Sequence, residues 1–210
     1  MNIRRDVVIN AFHQLYYHSG ANNTTYRGIP IIKSPLDMWV YQQLVWELQP
    51  ELVIETGTYM GGSALFLADQ CDLNGRGRVI SIDIEPRENR PPHPRVEYVL
   101  SSSLDKPLLE RLTQVVGGIS GHTMVILDSD HSMPHVLNEC RAFAGFVTPG
   151  SYLVVEDTNV NGHPVFPGHG PGPWEAASTF LAERPDFQVD EAREPFLLSM
   201  NPRGYLRKGR

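Results

Sequence analysis

Only two cysteines, Cys71 and Cys140, occur in the chain, and they are far from a CxxC spacing. They are too few for a disulfide framework, so packed thiols in a reducing compartment, most simply the cytoplasm, are expected. No apolar run exceeds a handful of residues, whereas a membrane-spanning helix needs roughly 20. The first residues, among them Asn2, Arg4, Arg5 and Asp6, precede no apolar h-region, so neither a secretory leader nor a membrane partner is expected. Positive charge is scarce as well: 18 Lys and Arg stand against 24 Asp and Glu, for a net charge of −6, and the pI is about 5.7. Without a basic surface, nucleic acid is not an expected partner. What remains is a chain of 210 residues, 41% hydrophobic, long enough to bury a core unaided.

Residues 1–33 mix aromatics (Phe12, Tyr16, Tyr17) with polar groups (Asn22, Asn23, Thr24, Thr25) in no sustained period, and read as an N-terminal extension before a domain spanning 34–210. Its aromatics would suit packing on a second copy, so a homo-oligomer is conceivable. Ser34, Pro35 and Asp37 supply a capping serine, a proline at the first helical position and a first-turn acid. A helix should start there, carry Val40, Leu44, Val45 and Leu48 on one face, and stop at Pro50.

From Leu52 onward short apolar runs alternate with helical segments, the rhythm of an α/β sheet. The runs are 52–56, 79–83, 96–100, 124–128 and 152–156; the helices are expected at 63–70, 104–115, 134–146 and 174–184. Fully apolar strands such as Met124-Val125-Ile126-Leu127 suit a parallel sheet covered on both faces. Three later pieces, 187–189, 196–200 and 205–206, lie too close together for helical crossovers and are expected to pair antiparallel at one edge. In the segment Gly162 to Pro173, ten of twelve residues are Gly, Pro or His. Regular structure is excluded there, and the segment is expected to be either a mobile lid over the acceptor site or an ordered surface loop or subunit contact.

The sharpest motif is Glu55-Thr56-Gly57-Thr58-Tyr59-Met60-Gly61-Gly62-Ser63, between the first strand and a helix. Ligands of open α/β sheets bind beyond the carboxyl ends of strands, and glycines there admit backbone close to the ligand. The spacing is not the G-x-G-x-x-G of dinucleotide binders, and a P-loop lysine is missing. Asp83 ends the second strand, where an acid can accept both hydroxyls of an adenosine ribose. Ser102 and Ser103, after the third strand, are candidate adenine contacts. Asp128 and Asp130 end the fourth strand and Glu156 and Asp157 the fifth, so several acids converge beside the glycine loop; a hard divalent cation would neutralise them, Mg2+ being the natural choice. Helix capping is the competing role for each acid. His131, three residues beyond Asp128, is a candidate general base, neutral near pH 7 at its ordinary pKa of about 6.5. His135 reads as a surface or packing residue.

These motifs, taken in order with Leu127-Asp128-Ser129-Asp130-His131 and Tyr152-Leu153-Val154-Val155-Glu156-Asp157-Thr158, resemble the cephalosporin hydroxylase family, which also takes in rhamnosyl O-methyltransferases. The resemblance covers roughly 34–207. It implies a class I, Rossmann-like fold with a seven-stranded sheet, mostly parallel with an antiparallel edge and helices on both faces. It further implies S-adenosylmethionine and Mg2+ as cofactors and a small hydroxylated acceptor, a sugar or a secondary metabolite. By the same resemblance the cofactor set is Glu55, Gly57, Thr58, Tyr59, Gly61, Ser63, Asp83, Ser102, Ser103 and Asp128. The metal ligands would be Asp128, Glu156 and Asp157, with Asp130 the alternative first ligand, and the catalytic pair His131 and Asp128. In the wider metal-dependent O-methyltransferases a lysine stands where this chain has His131. Two other classes are weighed. A non-haem iron oxygenase needs a facial triad, and no histidine here is followed two residues on by an acid. A cofactor-binding module without turnover would have little use for the clustered acids.

Overall fold

The computed structural model describes residues 4–19 and 24–210; residues 1–3 and 20–23 of the expected extension, with Asn2, Asn22 and Asn23, lie outside the described residues. Five runs rich in Val, Ile and Leu form parallel strands: β3 (Leu52–Thr56), β4 (Arg78–Asp83), β5 (Val96–Leu100), β6 (Thr123–Leu127) and β7 (Tyr152–Val155). Two more, β8 (Phe187–Val189) and β9 (Tyr205–Lys208), pair antiparallel, β9 lying against β7. The sheet order is β5-β4-β3-β6-β7-β9-β8. Strand order reverses between β3 and β6, so a crevice opens at their carboxyl ends.

Helices cover both faces. On one side Ile54, Ile82, Val125 and Leu127 pack on α4 (Lys106–Gly117), α5 (Met133–Phe143) and α6 (Pro173–Glu183) through Leu112, Phe143 and Phe180. On the other, Val53, Val79, Met124 and Ile126 meet α2 (Pro35–Leu48) and α3 (Gly62–Leu73) through Leu44, Leu67 and Ala68. Because successive strand residues point to opposite faces, a strand buried on both must be apolar throughout. Each such side chain contributes about 1.5–3 kcal/mol. The two thiols, both buried, fall on opposite sides of the sheet, Cys140 with the first group and Cys71 with the second.

Helix α2 starts as its sequence dictates: Ser34 Oγ accepts the Leu36 N–H at 3.2 Å, Pro35 opens the first turn, and Gln49 in the left-handed region ends it before Pro50. The buried face is Val40, Tyr41, Leu44 and Val45 with Asp37. The N-terminal segment has more structure than its pattern suggests: α1 (Arg5–Ser19), then a hairpin of β1 (Thr25–Tyr26) and β2 (Ile29–Pro30). The hairpin turns at Arg27-Gly28, both at positive φ, the two-residue geometry that matches strand twist. One expected strand is absent. Residues 196–200 form no ladder, because Asp37 takes their donors: its carboxylate accepts Ser199 Oγ at 2.6 Å and the Met200 N–H at 2.8 Å, with Tyr205 Oη at 2.9 Å.

Candidate active site

The glycine loop leaves β3 at a point where only glycine fits. Gly57 has φ +84°, and a Cβ there would stand 1.7 Å from the Asp128 carbonyl oxygen. Gly61, also at positive φ, caps α3. Between them Tyr59, itself at φ 49°, donates its N–H to Asp83 Oδ2 at 2.9 Å. Asp83 is further held by the Glu85 N–H on Oδ1 (2.9 Å) and by Arg90 Nη2 on Oδ2 (2.8 Å), whose Nε donates to the Tyr59 carbonyl at 3.0 Å. A carboxylate offers about four acceptor positions, and Oδ1 keeps one free. Beneath the loop Thr58 Oγ1 lies 2.7 Å from Ser81 Oγ, which donates to Glu55 Oε2 at 2.7 Å. Burial pushes the Glu55 carboxyl up.

The acids at the ends of β6 and β7 divide into two groups. His131 Nε2 lies 3.4 Å from Asp128 Oδ1 and 3.4 Å from Asp157 Oδ2. The ligand atoms of these three residues are mutually within 4.8 Å. Glu156 stands apart. Its Oε1 accepts Lys33 Nζ at 2.5 Å and Tyr41 Oη at 2.7 Å, and Lys33 also reaches Asp128 Oδ2 at 2.7 Å. Asp130 is exposed and accepts the Ser132 N–H at 2.7 Å, just ahead of α5, a capping contact. Asp128 is therefore the fourth-strand acid that faces His131.

Electrostatics follow this division. Burial and the Asp128 charge raise the Glu156 carboxyl, and Lys33 pulls against them. Burial likewise raises Asp157, against the pull of His131, to about 6. For His131 burial acts downward but loses to its hydrogen bond to Asp128 and the charges of Asp157 and Asp128, which lift the imidazole to about 9. Both carboxylates favour the imidazolium, and a cation sharing those carboxylates would oppose that shift.

A cavity of about 610 Å3 joins the two halves of the crevice. Its walls include Gly57, Thr58, Tyr59, Ser63, Asp83, Ser102 and Ser103 on the loop side, and Asp128, His131 and Asp157 on the acid side. Glu55, Gly61 and Glu156 are not on the wall: the first two support the loop, and the third anchors Lys33. Sequence reasoning missed Lys33, along with Pro30, Ile31 and Ile32, which wall the cavity from the N-terminal segment. Their only signal is position, just ahead of the Ser34 cap. The segment 162–173 contributes nothing to the wall. It is held by Glu175, whose Oε1 meets Asn161 Nδ2 (2.8 Å) and His163 Nε2 (3.1 Å) and whose Oε2 accepts the Gly172 N–H (2.7 Å); His163 stacks on Trp174 at 4.2 Å. A second group, Asp69, Asp72 and His93, is tied up by arginines: Arg27 Nη1 meets Asp69 Oδ1 at 2.9 Å and Arg95 Nε pairs with Asp72, while His93 Nε2 lies 3.5 Å from Asp69 Oδ1 and 3.2 Å from Asp72 Oδ2.

The sheet order, with its antiparallel final pair and a glycine loop facing a carboxylate cluster across the switch point, is that of the class I methyltransferase fold. The chain belongs to the family described as Rhamnosyl O-methyltransferase/CmcI, whose model matches residues 18–209. It is 43% identical over 210 residues to the rhamnosyl O-methyltransferase of Mycobacterium tuberculosis (strain ATCC 25618 / H37Rv), covering 96% of this chain and 85% of that one. A rhamnosyl O-methyltransferase of Mycobacterium leprae (strain TN) is 41% identical over 194 residues, covering 90% and 85%. Among solved structures, an apo form of CmcI superposes with a TM-score of 0.72 at 23% identity, over 91% of this chain and 78% of that one. The methyltransferase MycE, solved with Mg, SAH and mycinamycin VI, gives 0.56 at 23% identity, over 81% and 48%.

Proposed function

We propose that this protein is an S-adenosylmethionine-dependent, Mg2+-dependent O-methyltransferase whose acceptor is a sugar hydroxyl, a rhamnosyl glycoside being the first candidate. The observation that carries the reading is the single cavity with a glycine loop and Asp83 at one end and Asp128, His131 and Asp157 at the other. Support for the acceptor class comes from the rhamnosyl O-methyltransferases named above.

Asp83 would accept a ribose hydroxyl through the free position on Oδ1, while Tyr59 and Arg90 hold its carboxylate in place. Ser102 and Ser103 would border the base. The donor set fits a hard cation: Asp128 and Asp157 at the cavity wall would hold it together with Glu156, the acid that Lys33 now meets. Held by these carboxylates, the cation would supply Lewis-acid activation of a hydroxyl, and the cofactor an already activated methyl group. His131 Nε2 faces both carboxylates. To take the acceptor's proton it must first be neutral, which requires that Asp128 and Asp157 be satisfied by something other than its imidazolium. The glycine loop and the acid wall fix the distance between methyl donor and acceptor, the positioning part of the rate enhancement.

The test is transfer of a labelled methyl group from S-adenosylmethionine to an alkyl rhamnoside, read by mass spectrometry, with EDTA and Mg2+ add-back. Transfer that is abolished by EDTA and restored by Mg2+ is the expected result. Calorimetric binding of NAD in place of the adenosyl cofactor would overturn the reading.

A further inference from the structure

Strands β6 and β7 aim Asp128 and Glu156 at one place, and that place already holds a cation of the chain's own. Lys33 Nζ lies 2.7 Å from Asp128 Oδ2 and 2.5 Å from Glu156 Oε1, with its side chain 4% exposed. A small hard cation bridging those two oxygens would occupy the same position. The lysine is delivered there by its neighbours. The Pro30 carbonyl lies against Gly62, so closely that a Cβ on the glycine would come within 2.6 Å of it, and Ser34 caps α2 immediately afterwards. Lys33 also lines the cavity.

We propose that Lys33 is the resident counter-ion of the acidic cluster, and that its ammonium and a divalent cation are alternative occupants of the place between Asp128 and Glu156. The proposal rests on the Mg2+-dependent reading above and deepens it: the ion's affinity is set by how readily the lysine leaves. Two ligands that exclude one another each weaken the other's binding by the same factor. Removing the lysine therefore frees two carboxylate oxygens for the ion, at the cost of leaving two buried acids uncompensated when no ion is present.

The experiment is calorimetric titration of Mn2+ into EDTA-stripped wild type and Lys33→Met. The variant should bind Mn2+ about tenfold more tightly or better, a change of ~1.4 kcal/mol. Its melting temperature should be depressed in EDTA and should recover with Mn2+ by more than wild type gains. Equal or weaker binding by the variant overturns the proposal. Should Lys33→Met fail to fold, acetylation of the wild-type protein followed by peptide mass spectrometry decides instead. Lys33 should be protected in EDTA and labelled severalfold faster in saturating Mn2+, and unchanged labelling overturns the proposal. The two readings fail separately. A wild type that binds no Mn2+ while Lys33→Met does upholds the lysine as occupant and removes the ion from the catalytic reading. A wild type that binds Mn2+ with an affinity indifferent to the lysine upholds the ion and removes the competition.

Discussion

Gly57 and the Asp128 carbonyl stand so close that a Cβ on the glycine would lie 1.7 Å from the oxygen. The contact joins the glycine loop to the acid-bearing strand through backbone alone. Gly57→Ala therefore meets two penalties, a positive φ and a backbone clash, and should cost roughly 3 kcal/mol or more. The expected outcome is a clearly lowered melting temperature with loss of adenosyl-cofactor binding, checked by thermal denaturation and calorimetry.

Asp83 ties Tyr59, Glu85 and Arg90 together while keeping one acceptor position free. Asp83→Ala should weaken S-adenosylmethionine binding by about 2–3 kcal/mol, roughly 30- to 150-fold, since it removes a charged acceptor and the loop's anchor. Arg90→Met, which removes only part of the anchor, should cost less. Dissociation constants from calorimetry would check the order, and an Arg90 loss exceeding that of Asp83 would reverse the assignment.

His131→Ala should lower kcat by a factor on the order of 100 to 10,000, the usual range for a positioned acid or base. Cofactor affinity should stay within about twofold, because the imidazole faces the acids rather than the glycine loop. Single-turnover kinetics alongside calorimetry separates the two quantities.

Glu175 gives a pH signature to the 162–173 segment. Burial raises its carboxyl, but the Gly172 N–H, Asn161 and His163 outweigh this and hold it near about 2. A carboxyl with a lowered folded pKa stabilises most above its unfolded value, here about 4.5, and that contribution disappears as pH falls toward about 2. Hydrogen exchange in residues 161–172 should therefore accelerate across that window in wild type. In Glu175→Gln it should be fast already at pH 7, for a loss of ~1–2 kcal/mol. Exchange that slows only when cofactor and acceptor are added would restore the lid that the composition suggested.

Much of the architecture was legible because its causes are local. The apolar runs at 52–56 and 124–127 can only be strands buried on both faces, and the Ser34-Pro35 start of α2 needs nothing beyond its own residues. The glycine loop, Asp83, Asp128, His131 and Asp157 were legible for the same reason: each sits at a strand end, and parallel strands bring their ends together. What escaped was long-range. Lys33 meets Asp128 and Glu156 across 95 and 123 residues, and no pattern near residue 33 announces such partners. Helix α1 hides its amphipathicity because Val7, Val8 and Leu15 are exposed while His13 is buried against Asn159. The run at 196–200 reads as a strand until Asp37, 163 residues from Met200, claims that residue's backbone donor.

Pro30, Ile31, Ile32 and Lys33 wall the cavity, yet their segment adds no strand to the seven-stranded sheet. A nick at Arg27-Gly28, or a chain begun at Ser34, would leave every ladder of that sheet and both of its helical coats in place. Such a product would keep the seven strands paired while the wall that Ile31, Ile32 and Lys33 give the cavity was lost. Integrity of fold and integrity of chemistry are thus carried by different stretches of the same polypeptide, and an assay of the first gives no assurance of the second.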